Sequence, residues 1–242
     1  MQKIKHLVKN MFQKIRLTTP SAIIVAAVIL GASHVGYGYL LSNGTQKVAT
    51  SIFKGRAIDS TDLVTGDEKS KVILVEYSDT ECPFCAQVHP TIKKLQEAYG
   101  KKIGFAYRYF PLTQIHPNAF DEARAVYCVG KELGAEKKQE YVDMIFAYKW
   151  EKQNMVFPKG KKEALAKDIG VNEKTFNTCL QGTESSDVIN ASIQDGIAAG
   201  VQGTPASFVL IKTRKGYETV SLVDGARPYE YFEAIINDAL AR

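Results

Sequence analysis

Two cysteines separated by two residues, Cys82-Pro-Phe-Cys85, are the group in this sequence best suited to chemistry. A thiolate is a nucleophile, and a thiol three positions on can close a small ring with it, so such a pair exchanges disulfides. The same spacing is half of a zinc site, which needs four ligands. No second Cys-x-x-Cys and no His-x-x-x-His accompanies it. A metal would have to recruit the distant Cys128 and Cys179, so we expect neither a metal nor another cofactor.

The flanking elements decide what the pair can do. Residues 71–77, Lys-Val-Ile-Leu-Val-Glu-Tyr, form a continuous β-branched and apolar run, the pattern of a strand buried on both faces. Beyond the motif, Cys85, Val88, Ile92, Leu95 and Tyr99 recur at helical spacing, with Gly100 placed to end the helix and Pro90 expected to kink it. The dithiol therefore sits where a strand turns into a helix. Free N–H groups and the helix dipole there favour an anionic sulfur. Cys82, at the helix start, is expected to be the attacking thiol, and Cys85, one turn in, the resolving one. Pro83 stiffens the first turn without removing a needed donor. Residues 103–110 read as a second strand, and strand–helix–strand in that order requires a parallel pair.

From Pro117 to about residue 199 the apolar period changes to that of helices, with helices expected at 161–169, 173–180 and 186–198 among others. No strand interrupts this block, so it reads as a helical insertion. Two further strands at 206–211 and 218–223 flank Arg214-Lys-Gly216 as a hairpin, and residues 228–240 form a last amphipathic helix. The expected fold is α/β. The divisions are a basic segment at 1–20, an apolar segment at 21–41, a polar lead at 42–65 with a short strand near 48–53, a sheet domain at 66–112 and 200–242, and the insertion at 113–199.

The chain has 242 residues, 45% of them hydrophobic and 24% charged, ample for a packed core. Its formal charge of +5 resides in the first twenty residues: Lys3, Lys5, Lys9, Lys14 and Arg16 without an acid. Removing those five leaves 26 basic against 26 acidic residues, so no field suited to nucleic acid remains. Between Arg16 and Lys47 no charged residue occurs, and residues 21–41 are long enough to cross a bilayer. Basic residues before them keep the N-terminus cytoplasmic and send the remainder outward. We expect a single-pass anchor with an extracytoplasmic domain. A cleaved signal peptide is the alternative, given the short apolar core and the small residues of Gly36-Tyr-Gly38. Cysteine use suits that disulfide-permissive side.

The frame Val75-Glu-Tyr-Ser-Asp-Thr-Glu-Cys82-Pro-Phe-Cys85 resembles the DsbA-like thiol–disulfide oxidoreductases of the thioredoxin fold. Arg108-Tyr-Phe-Pro-Leu112, His116-Pro117 and Val201-Gln-Gly-Thr-Pro205 follow in that family's order, and the resemblance runs from about residue 58 to 240. It implies a thioredoxin fold carrying a helical insertion. It also implies that Thr204 and Pro205 form the cis-proline loop beside the sulfurs, and that Glu76 is a buried acid beneath Cys85 that relays a proton. A Glu76 turned to solvent is the alternative. Phe84 stands where oxidising members often carry His, and Glu81 adds a negative charge beside Cys82. Both are expected to weaken stabilisation of the thiolate and give a milder redox poise.

Relatives also imply a structural Cys128–Cys179 disulfide. Two buried free thiols, or a second redox pair, remain alternatives. The activity implied is oxidation of dithiols in exported proteins, with reoxidation by a quinone-linked membrane protein of the DsbB or VKOR type. A reductase or isomerase of the same fold, or a non-catalytic binding module, are the rivals. Elsewhere, His89 reads as packed or solvated, His116 as a cap of the next helix, and Phe146, Tyr148 and Trp150 as core.

Overall fold

The computed structural model describes residues 51–242. The expected anchor at residues 21–41, and His34 within it, lie outside the described residues. Among the described residues no helix is long and apolar enough to cross a membrane.

A six-stranded mixed sheet has the order β1-β6-β5-β3-β4-β2. Its central strand is β3 (Val72–Ser78), buried along its whole length as its apolar run requires. β3 pairs in parallel with β4 (Gly104–Tyr109) and antiparallel with β5 (Ala206–Thr213), which turns into β6 (Gly216–Asp224). The edges are two short strands, β1 (Ser51–Ile52) on β6 and β2 (Thr65–Gly66) on β4. β2 escaped the sequence reading because two residues carry no periodicity.

Helix α1 (Pro83–Tyr99) joins β3 to β4, with Pro90 inside it on the exposed side. Its apolar stripe of Val88, Ile92 and Leu95 packs on one sheet face with Phe232 and Ile236 of α7 (Tyr229–Ala241). The insertion contributes α2 (Ala119–Leu133), α3 (Ala135–Lys152), α4 (Lys161–Asp168), α5 (Glu173–Gln181) and α6 (Thr183–Ala199). Its core gathers Val126, Val129, Tyr141, Ile145 and Phe176, and continues to Cys82 and Cys85. The helical block therefore packs against the redox motif. Cys128 and Cys179 tie α2 to α5 through a disulfide spanning 51 positions of sequence.

α6 returns to the opposite sheet face, where Ile193 and Ala199 meet Tyr77, Phe110 and Phe208. Gly196 allows this approach: a Cβ there would lie 2.6 Å from the Phe110 ring. Arg108 of β4 bridges three segments at this place. Its guanidinium donates to Asp62 at 2.8 and 3.1 Å, to the Tyr77 hydroxyl at 3.0 Å and to Asp195 of α6 at 2.8 Å. One fully buried cation thus holds the polar lead and the last insertion helix to the sheet.

Two expectations fail in the insertion. Trp150 is not core; it is 61% exposed at the end of α3, while Phe146 is buried and Tyr148 half-buried against Phe157. Trp150 follows Lys149, and it is Lys149 that occupies the inward stripe of Tyr141 and Ile145 at four-residue steps. His116 is not a helix cap. Asn118 precedes α2, its backbone N–H donates to the Glu81 carboxylate, and His116 turns instead to Asp79.

Candidate active site

Cys82 is the residue before α1, with extended backbone (φ −77°, ψ 121°), and Pro83 opens the helix. Its N–H closes a turn onto the Asp79 carbonyl at 3.1 Å, and its own carbonyl accepts the first helical bond, from Ala86 at 3.1 Å. The turn aims the Cys82 sulfur at the helix N-terminus, where Phe84 and Cys85 present free N–H groups. Both thiols are reduced, and both residues are buried. The Cys82 Sγ lies 3.3 Å from the Thr204 carbonyl, and the Thr204–Pro205 peptide is cis. Thr204 and Pro205 also line an open groove of about 540 Å³ with Gln202, Gly203, Leu222 and Asp224. Phe84 projects beside the motif at 58% exposure.

The two thiols differ in acidity. That of Cys82 is lowered to about 6, chiefly by a hydrogen bond from the Cys85 thiol and further by the N–H groups of Phe84 and Cys85, against the opposing effect of burial. Burial raises Cys85 far above the ordinary thiol range, and the nearby Cys82 and Glu76 charges push the same way. A proton therefore rests on Cys85 while Cys82 ionises. Glu81, next to Cys82 in the chain, turns its carboxylate to the Asn118 backbone and side-chain N–H groups, from which it accepts at 2.7 and 2.9 Å.

Glu76 faces inward from the middle of β3, between Tyr107 of β4 and Ser207 of β5. Burial raises its carboxyl, with only partial relief from the Ser78 hydroxyl and from His89. His89, one turn beyond Cys85 on α1, is buried. Its Nε2 lies 2.9 Å from Asp143, and its ring lies on Phe146 with centroids 4.7 Å apart.

Residues 78–81 are fixed more firmly than their loop character suggested. The buried Asp79 carboxylate accepts from the N–H groups of Glu81 and Leu112 at 2.7 and 2.8 Å and lies 2.7 Å from His116 Nδ1. Its backbone N–H points to the Cys85 sulfur at 3.5 Å. The Thr80 carbonyl accepts from Lys149 of α3 at 3.0 Å, and the Thr80 hydroxyl donates to Glu122 of α2 at 2.5 Å. Sequence reasoning missed Asp79, Glu122 and Lys149. A signal existed for the last two, since each falls on the apolar stripe of its own helix. Cys128 and Cys179, being bonded to each other, supply no ligand to the dithiol.

A thioredoxin family matches residues 59–238, and the chain belongs to it. The thioredoxin fold implied by the resemblance to DsbA-like oxidoreductases is borne out. Among solved structures, the thiol–disulfide exchange protein alpha-DsbA2 from Wolbachia pipientis superposes with a TM-score of 0.62 at 24% identity, covering 74% of this chain and 88% of that one. BdbD from Bacillus subtilis, in its oxidised form, gives a TM-score of 0.64 at 18% identity over 78% of this chain and 98% of the other. A Na(+)/H(+) antiporter NhaA 1 from Mycobacterium sp. (strain KMS) is 26% identical over 166 residues, which are 67% of this chain. The chain spans about a quarter of that relative, 26% of its length.

Proposed function

We propose that this protein is a thiol–disulfide oxidoreductase that donates the Cys82–Cys85 disulfide to dithiols of exported proteins. The observation that carries the reading is the pair of opposed thiols, an acidic Cys82 beside a proton-retaining Cys85. Oxidising power follows from how well the reduced form is stabilised, and an acidic Cys82 stabilises it.

A substrate thiolate attacks the Cys82 sulfur of the oxidised enzyme. The Cys82–Cys85 bond breaks, and Cys85 leaves with the electron pair and takes a proton. Glu76, whose burial favours its protonated form, supplies that proton. A second substrate thiolate then attacks the substrate sulfur of the mixed disulfide, and Cys82 leaves as the thiolate. Two electrons pass to the enzyme and one disulfide to the substrate. Pro83 and Phe84 shape the rim of the site, and the backbone of Thr204 and Pro205 lies beside the sulfur to align an extended substrate segment. The fold likeness to a thiol–disulfide exchange protein supports this chemistry.

In the same reading residues 21–41 anchor the chain with the catalytic domain outside the cytoplasmic membrane, and a quinone-linked membrane protein of the DsbB or VKOR type removes the electrons. A reductase or isomerase is the second reading. The buried carboxylates of Asp79 and Glu81 in the loop favour it, since negative charge opposes a thiolate. Equilibration of the full chain with glutathione decides. A potential near roughly −120 mV supports disulfide donation, and one near roughly −270 mV overturns it in favour of a reductant.

A further inference from the structure

We propose that Lys149, on the insertion helix α3, is a positioning residue for the redox centre: its ammonium, held between the Thr80 carbonyl and the Glu122 carboxylate, fixes the loop that presents Cys82 and sets the charge that loop places near the sulfur. The inference rests on the thiol–disulfide reading above and adds a residue from outside the thioredoxin sheet to it.

The geometry begins with a lysine that has no exposed surface. Its Nζ donates to the Thr80 carbonyl at 3.0 Å and to Glu122 Oε2 at 2.5 Å, and sits 4.4 Å from the centre of the Phe157 ring. Thr80 is held twice, since its hydroxyl donates to the same Glu122 oxygen. Thr80 lies within the turn that the Cys82 N–H closes onto Asp79. Displacing Lys149 thus frees the middle of the turn that aims the sulfur.

As a stabilising device the pair is poor. Desolvating two charges costs several kcal/mol each, and well-packed apolar residues commonly do as well or better. Here the desolvation is incompletely offset: Glu122 Oε1 is buried with no hydrogen-bond partner among the described residues. What the pair does supply is a cation in an otherwise acidic neighbourhood. Facing Lys149 are Glu122 from α2 and Asp79 and Glu81 from the loop. Asp79 in turn meets His116, and Glu81 meets Asn118. Cys82 itself faces Cys85 and Thr204, and Glu76 of β3 interacts with its charge. Without Lys149, the acids of the loop would act on Cys82 with no ammonium to oppose them.

The test uses the full chain with two single substitutions, Lys149→Met and Glu122→Gln. The Cys82 titration is followed by thiolate absorbance against pH, and the dithiol equilibrium by glutathione. A change of one charge in buried surroundings moves a neighbouring group by about one pH unit. We expect Lys149→Met to raise the Cys82 titration by about one unit and to make the dithiol about tenfold less oxidising, a shift of about 30 mV. Glu122→Gln keeps the acceptor for Thr80 and is expected to move both readings the opposite way. Opposite signs support the proposal, because a purely structural role would disturb the loop in the same sense in both variants. Shifts of the same sign, or titrations within about 0.2 unit of the unsubstituted protein, against that one-unit expectation, overturn it. Should Lys149→Met not fold, Glu122→Gln decides alone: a fall in the Cys82 titration supports the proposal, and a rise or no change overturns it. An unsubstituted protein that does not exchange with glutathione would sink the functional reading, while the Cys82 titrations would still judge the role of Lys149.

Discussion

Replacing Cys85 by Ala tests the electrostatic core of the site. The largest contribution to the acidity of Cys82 is the hydrogen bond it receives from the Cys85 thiol. A hydrogen bond to a charged group contributes about 1.5–3 kcal/mol. At about 1.4 kcal/mol per pH unit, its loss raises the Cys82 titration from about 6 by one to two units, to about 7–8. At pH 7 the thiolate fraction then falls from roughly nine-tenths to half or less. The sign of the linked stability follows. The Cys82 pKa is depressed in the folded reduced protein, so its contribution is fully present above the unfolded thiol range and is lost as pH falls through about 6. In Cys85→Ala that loss is complete at a higher pH and its total is smaller. Absorbance of the thiolate near 240 nm against pH, with iodoacetamide trapping rates as a second reading, follows Cys82 directly, and Cys82→Ser gives the blank. A titration in Cys85→Ala that stays at about 6, or falls below it, would refute the argument that Cys85 is the main source of the acidity.

Other outcomes follow from the same contacts. Glu76→Gln removes an acid whose pKa burial has raised; such a group destabilises the fold as pH rises through its titration, so the variant should resist urea better than the parent above that range, while its mixed disulfides form more slowly for want of the proton. Cys128→Ala with Cys179→Ala opens a crosslink spanning 51 positions and should lower the unfolding free energy by up to about 4 kcal/mol, read by urea denaturation, with the Cys82 titration little changed. Arg108→Met strands the buried Asp62 and Asp195 carboxylates and should cost about 3–5 kcal/mol; proteolysis should then cut first in the lead around residues 55–62. A loss under about 1 kcal/mol would show that the lead is held by other contacts.

Much of this molecule follows from local pattern. The β-branched run of β3 admits only a buried strand, and the stripe from Cys85 to Tyr99 only an amphipathic helix, so the dithiol had to fall at a strand-to-helix turn. Period alone separated the insertion from the sheet, because strands and helices expose their apolar residues at different intervals. Inward placement of Glu76 was implied by the family resemblance, with a solvent-facing Glu76 left open; the structure buries it in the middle of β3. What the sequence by itself could not supply is the partner of each polar group. Glu81 adjoins Cys82 in the chain, yet its carboxylate accepts from Asn118, and the group that does most to lower the Cys82 pKa is the Cys85 thiol. Likewise His116 looked like a cap and instead meets Asp79, and Trp150 looked like core where its neighbour Lys149 is. Arg108, Asp62 and Asp195 converge from three segments far apart in sequence. Periodicity reports which face of an element turns inward, because burial of apolar surface acts on every residue of that face alike. Hydrogen bonds and ion pairs are directional and act across the fold, so only the tertiary structure decides which donor meets which acceptor, and with it the acidity of Cys82.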